Sequence, residues 1–246
     1  MWFESFFPSP VLQDFVAMIV TFAVSLIWLR LMDGLAQRGL LEPRLSRKVI
    51  HIGTGPLFVL CWTFYSSSPA AKYWAGVVPL AITLQFVAVG LGWMKDEAAV
   101  QAMTRHGDRR EILLGPVFYG LVFVACTIGF WRTSPVGILS LMILCGGDGL
   151  AEIVGGRWGK TKLPHNADKS WWGSAAMWAG GVGLSFVILW LFNSWGILQP
   201  ALDEPTMFWK ISGVALGAAA VESLPLADLD NLTITATAIV LGGYFF

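Results

Sequence analysis

The sequence predicts an all-α integral membrane protein: a polytopic bundle of about eight transmembrane helices, with residues 1–246 forming one domain. Three observations lead there. First, of 246 residues 56% are hydrophobic and only 13% charged, with a mean hydropathy of +0.65. An ordinary soluble domain carries about 25% charged residues, so too little polar material remains to wrap this apolar sequence in water, and a disordered chain is excluded. Second, the apolar residues come in long uncharged runs. Third, the polar–apolar alternation of a membrane barrel is absent. Hydrocarbon obliges a backbone to satisfy its own hydrogen bonds, so the runs are helices.

The runs, in order, cover 15–29, 52–71, 73–94, 112–131, 133–147, 170–202, 211–221 and 231–246. The first, fifth, seventh and eighth are short of the roughly 20 residues a crossing needs, but each borrows flanking residues. Arg30 and Lys210 can snorkel from span ends. The opening MWFESFFPSP has no Lys or Arg before its first apolar run and no small-residue cleavage signature, so it does not read as a signal peptide. Cys61, Cys126 and Cys145, an odd and scattered set inside apolar runs, are expected to be buried thiols, not a disulfide or zinc framework.

Basic residues assign the sides. Arg38, Arg44, Arg47 and Lys48 lie in the first connection; Lys95, Arg105, Arg109 and Arg110 in the third; Arg157, Lys160, Lys162 and Lys169 in the fifth. The even connections hold only Lys72, Arg132 and Lys210, so with Arg30 at the inner end of the first span the split is 13 to 3. The odd connections are therefore expected in the cytoplasm, or the stroma of a plastid, with both termini on the opposite side. Sixteen basic residues balance sixteen acidic ones, so no global field attracts nucleic acid. The same sidedness gathers the rare polar residues at one membrane face: Arg47, Lys48 and His51, the run GDRRE at 107–111, Asp148 with Glu152, and Glu222 with Asp230 and Asn231.

The densest segment is CGGDGLAEIVGGRWGKTKLPHNADKSWWGS, 145–174. Asp148 and Glu152 are four apart, so on a helix both carboxylates share a face, the oxygen donors that Mg²⁺ takes. Glycines, among them Gly155 and Gly159, permit close backbone approach of the kind phosphate cradles use. Arg157, Lys160, Lys162 and Lys169 offer cations for phosphate oxygens. The bland alternative is a basic topology loop with a glycine-softened helix end. GRWGKT only superficially suggests a P-loop: that motif puts four residues between its first Gly and Gly-Lys, whereas three follow Gly155 and two follow Gly156 here. Downstream, VESLPLADLDNLT adds Glu222, Asp228 and Asp230 on the same side. Asp and Asn before a helix are usually caps; Glu222, ending an apolar helix with no cation nearby in sequence, stands out. His51, alone at a helix start, reads first as a cap or core residue, and His106 and His165 show no metal-ligand spacing. The thirteen tryptophans sit mostly near span ends, as an interfacial belt does.

These segments resemble the CTP-dependent polyprenol kinases, the phytol, farnesol and dolichol kinase group. That group is marked by Asp, two residues, Ala, three residues, Gly, three residues, Gly, then eight residues and a Lys-Lys-Thr-x-Glu-Gly block. Asp148, Ala151, Gly155 and Gly159 keep the spacing, and the block reads Asp168, Lys169, Ser170, Trp171, Trp172, Gly173. Asp168, Ser170 and Trp172 depart from it, toward the phytol and farnesol branch, which the chain also resembles in KLPHNADKSWWGS, in RKVIH at 47–51 and in VESLP with DNLT. The resemblance implies phosphoryl transfer from CTP to a long isoprenoid alcohol at the membrane interface. Mg²⁺ would then lie at Asp148 and Glu152. Arg157, Lys160 and Lys169 would bind phosphates, approached by Gly155, Gly159 and Ser170, and either Glu222 or Asp230 would serve as base. The partners implied are the lipid alcohol, the nucleotide and the bilayer, with no nucleic acid. Phosphatidate cytidylyltransferases share the central block but close with a His-Gly-Gly…Asp-Arg signature, where this chain has VESLPLADLDNLT. A transporter would place polar residues near the midplane of repeated halves, a pattern not seen here.

Overall fold

The computed structural model describes residues 4–104, 106–226 and 229–246; Arg105 and Asp228 lie outside the described residues. Packing separates two compact units: residues 4–50 with 57–129, and residues 51–56 with 130–246.

The first unit begins with α1, Pro10–Gln37. Ser9 caps it, its hydroxyl accepting from Leu12 N at 3.3 Å, with Pro10 at the first helical position, where a missing N–H costs nothing. One face of α1, including Val11, Phe15, Ile19 and Ile27, is exposed, as expected where lipid is the solvent. Its buried polar groups are all used. Asp14 accepts from Ser66 N at 2.7 Å and Ser66 Oγ at 3.0 Å, and Gln13 Nε2 donates to Phe64 O at 2.9 Å. Tyr65 OH donates to Thr21 Oγ1 at 3.2 Å. Helix α2, Pro43–Cys61, gives its turn His51–Pro56 to the second unit and the rest to the first. Then come α3, Ala71–Leu91, stopped by Gly92 at φ 80°; the short α4, Glu97–Met103; and α5, Gly115–Phe130, entered through a 3₁₀ turn, Arg109–Leu113.

The second unit is built around one long helical stretch in three registers: α6, Pro135–Met142; a π turn, Ile143–Asp148; and α7, Gly149–Trp158. Every residue from Val136 to Gly147 is buried. Around it pack α8, Trp171–Ser194, α9, Glu204–Glu222, and α10, Asp230–Phe245. The approach of α8 depends on glycine: a Cβ on Gly146 would lie 2.7 Å from Gly180 O, and one on Gly147 2.7 Å from Met177 Sδ. Small residues let helices touch backbone to backbone in a bilayer, where no hydrophobic force drives them together.

Among the described residues, five helices are long and apolar enough to cross a membrane: Pro10–Ala36, Ala71–Leu91, Arg109–Phe130, Pro135–Trp158 and Trp171–Ser194. The polytopic all-α reading holds; a count of eight spans is not reached by this measure. The other three expected spans are helical, but α2 opens with Arg47, Lys48 and His51, α9 with Glu204 and Lys210, and α10 has 16 residues. The three cysteines are buried thiols outside any disulfide. One element escaped the all-α expectation. Between α7 and α8 the chain forms a two-stranded antiparallel hairpin, β1, Lys162–Leu163, and β2, Asn166–Ser170.

Candidate active site

The π turn delivers the first site residue. A π turn widens a helix by one residue and so re-aims the side chains beyond it. Here it ends at Asp148, whose side chain is 14% exposed. His51 Nε2 lies 3.2 Å from Leu144 O and 3.3 Å from Asp148 Oδ2. Both partners are acceptors, so this nitrogen carries a proton and donates to the π turn and to the carboxylate it presents. Sequence reasoning took His51 for a cap or core residue. A contact between α2 and a helix most of a hundred residues later relocates it, and no local pattern encodes that contact. From Asp148 onward the backbone is regular α-helix (φ −59°, ψ −40° at Asp148; φ −59°, ψ −47° at Gly149), so Glu152, one turn on, shares its side of the helix and is exposed.

The hairpin and the last two helices deliver the rest. Lys169 Nζ forms an ion pair and hydrogen bond with Glu222 Oε1 and lies 3.3 Å from Asp230 Oδ2. Glu222, the last residue of α9, is 4% exposed; Asp230, the first of α10, is 30% exposed. Burial works against the Lys169 charge. The charge and hydrogen bond of Glu222, then the charges of Asp230 and Asp148, outweigh it and hold the ammonium above the ordinary lysine value of 10.5. Asp148, Lys169, Glu222 and Asp230, distant in sequence, thus lie within electrostatic reach of one another. The cation sits at the C-terminal end of α9, where the helix dipole also favours it.

The remaining expected residues are placed differently. Ser170 is 4% exposed and caps α8, its hydroxyl accepting from Gly173 N at 3.1 Å. Gly155 faces α8: a Cβ there would lie 3.3 Å from both Gly173 Cα and Ser170 Oγ. One on Gly159 would run into Gly155 O and Ser170 Oγ. These glycines serve the packing of α7 against the start of α8. Arg157 and Lys160 are exposed.

Among the described residues, no group of three or more His, Cys, Asp and Glu side chains is placed to hold a metal ion by itself. Mg²⁺ commonly takes one or two carboxylates and completes its shell with phosphates and water; Asp148 and Glu152, one turn apart on one side of the helix, are the carboxylates that could serve it.

Known proteins were compared with the chain. A protein named "Probable phytol kinase, chloroplastic" from Triticum aestivum is 39% identical over 240 residues, 97% of this chain and 79% of the relative. Phytol kinase 1, chloroplastic, from Arabidopsis thaliana is 39% identical over 213 residues, 86% of this chain and 69% of its own length. Farnesol kinase, chloroplastic, from the same plant is 38% identical over 240 residues, covering 97% and 77%. No protein-family profile matches the chain, and no solved structure is significantly similar to it.

Proposed function

Because this chain belongs to the family of the phytol and farnesol kinases, we propose that it transfers the γ-phosphoryl group of a nucleoside triphosphate, CTP in the first instance, to the hydroxyl of a phytol- or farnesol-like alcohol. That it is an isoprenoid alcohol kinase follows from the family. The donor, the metal and the residue roles are the proposal. The observation that carries it is the convergence of Asp148, Lys169, Glu222 and Asp230 beside the hairpin.

The alcohol's hydrocarbon tail lies among the helices in lipid, and its hydroxyl reaches the interface. The nucleotide arrives from water on the basic face, cytoplasmic or, if the protein resides in a plastid as its relatives' names say of them, stromal. Phosphoryl transfer needs in-line positioning and charge stabilisation more than covalent help from the protein. The alcohol oxygen forms the new bond to the γ-phosphorus as the bond to the β-phosphate oxygen breaks, giving a lipid monophosphate and a nucleoside diphosphate. The hydroxyl proton passes to a carboxylate, Asp230 or Glu222. Mg²⁺, held by Asp148 and Glu152, would supply positive charge on the phosphates. His51 Nε2 holds Asp148 through Oδ2. Lys169, with Arg157 and Lys160 at the exposed rim, stabilises charge developing on the transferred group.

The test is purified protein with labelled CTP or ATP, Mg²⁺ and a panel of phytol, farnesol, geranylgeraniol and dolichol. A lipid monophosphate with CDP is the expected product. A CDP-lipid with pyrophosphate would mark a cytidylyltransferase, and no transfer to any alcohol would overturn the reading.

A further inference from the structure

We propose that Asn166 is the positioning residue of this site, its side-chain amide setting Lys169 against Glu222 through a hydrogen bond at each end. The inference rests on the kinase reading for its catalytic consequence, but the geometry stands by itself. In the hairpin, Leu163 pairs with Asn166 while the neighbouring Lys162 pairs with Ser170. A single step on β1 therefore faces a run on β2 that leaves Ala167, Asp168 and Lys169 outside the ladder. Such bulges re-aim side chains, and they recur beside active sites. Lys169 is the residue re-aimed.

Asn166 holds both ends of this arrangement. It is buried, at 9% exposure. Its Oδ1 accepts from Asp168 N at 3.1 Å, which closes the bulge locally. Its Nδ2 donates to Ser223 O at 3.0 Å. Ser223 caps the end of α9, where the last carbonyls of a helix have no partner within it. The neighbouring His165 adds a second tie. Ser223 Oγ donates to Ala220 O at 2.7 Å, so across the 3.0 Å separation from His165 Nε2 it accepts, and that nitrogen carries a proton. The docked residue, Ser223, directly follows Glu222. The latch that fixes the hairpin tip therefore also fixes the distance from the bulge to the carboxylate that Lys169 pairs with. An amide does this with one planar group, because it offers a donor and an acceptor together. A carboxylate in its place would oppose the Ser223 carbonyl, acceptor to acceptor.

Two readouts in the full-length protein test the proposal. The first is the reactivity of Lys169 toward an acylating reagent, mapped by mass spectrometry. Lys169 should be protected in the wild type and should react about fivefold faster or more in Asn166→Asp, as expected when a buried hydrogen bond of roughly 1 kcal/mol is lost. The second is turnover: Asn166→Asp should lower kcat about tenfold or more on its own and add nothing in a Lys169→Gln background, because a residue acting through Lys169 has nothing left to position. Unchanged Lys169 reactivity in folded Asn166→Asp, or losses that multiply in the double variant, would overturn the proposal. Should Asn166→Asp fail to fold, His165→Ala decides. It should raise Lys169 reactivity to a lesser degree, and no change there sinks the latch. Absence of alcohol phosphorylation by the wild type would instead strike the kinase reading, with the Lys169 reactivity still reporting on the latch.

Discussion

Lys169 answers to two demands at once, and substitution separates them. Removing its charge leaves Glu222, at 4% exposure, as a buried carboxylate without its cation, a loss of about 3–5 kcal/mol where the surroundings cannot relax. Removing a contact to the transferred phosphoryl group lowers turnover about 100-fold for roughly 3 kcal/mol. Lys169→Gln should therefore lose both stability and activity. The Lys169→Gln/Glu222→Gln double variant should recover thermal stability while staying inactive, and recovery of turnover in it would remove Lys169 from the chemistry. Lys169→Arg should rescue only in part, since a guanidinium is broader and forked. The raised pKa of Lys169 fixes a pH dependence. A group whose pKa is higher folded than unfolded contributes stability fully below its unfolded value, and loses it as pH rises through the folded one. The wild type should thus show a stability step on the alkaline side of 10.5 that Lys169→Met lacks, measured by thermal unfolding against pH. Asp148→Asn and Glu152→Gln should each cut turnover by about 100-fold or more with insertion intact, if together they hold the metal that neutralises the phosphates. Near-normal rates in both would move the metal to Glu222 and Asp230.

The elements differ in how far they could be read in advance. Helices α1, α3 and α5 and the stretch from Pro135 to Gly147 follow from uncharged runs, because in lipid the run itself is the structural signal. The hairpin has no such signal. Its strands are short and polar, and they are held by Trp171 N donating to Thr161 O and by Ser223 at the far end of α9. The π turn is equally silent, since it is a hydrogen-bonding register and not a composition. At the site, the densest segment and the VESLP carboxylates were legible as chemistry. Their pairing was not, because the bond from Lys169 to Glu222 spans helices α8 and α9. Gly155 and Gly159 read in the sequence as phosphate-approaching glycines; their closeness to Gly173 and Ser170 at the start of α8 had no sequence signal. Gly146→Ala should show how much that approach contributes. Its Cβ would meet Gly180 O at 2.7 Å, an overpacking of about 1–3 kcal/mol. Thermal unfolding in detergent should fall, and turnover should fall with it, because the same turn presents Asp148.

At the scale of the whole chain, the 13-to-3 split of basic residues predicts that the hairpin and the end of α9 share one side of the bilayer. Single cysteines at Lys162 and Leu224, both exposed, in a background without native cysteines should react with an impermeant reagent from the same side. Labelling from opposite faces would separate residues that the site requires together. The chain also imposes an order of events. His51 and its turn belong to the second unit although they emerge long before the rest of it. Synthesis runs from the N-terminus, so α2 is made with a polar imidazole whose acceptors, Leu144 O and the Asp148 carboxylate, do not yet exist. Until they arrive, that helix has reason to linger at the interface or beside the insertion machinery instead of settling into lipid. Nascent chains stalled before Asp148 should accordingly crosslink to the translocon through α2, and chains stalled beyond it should not.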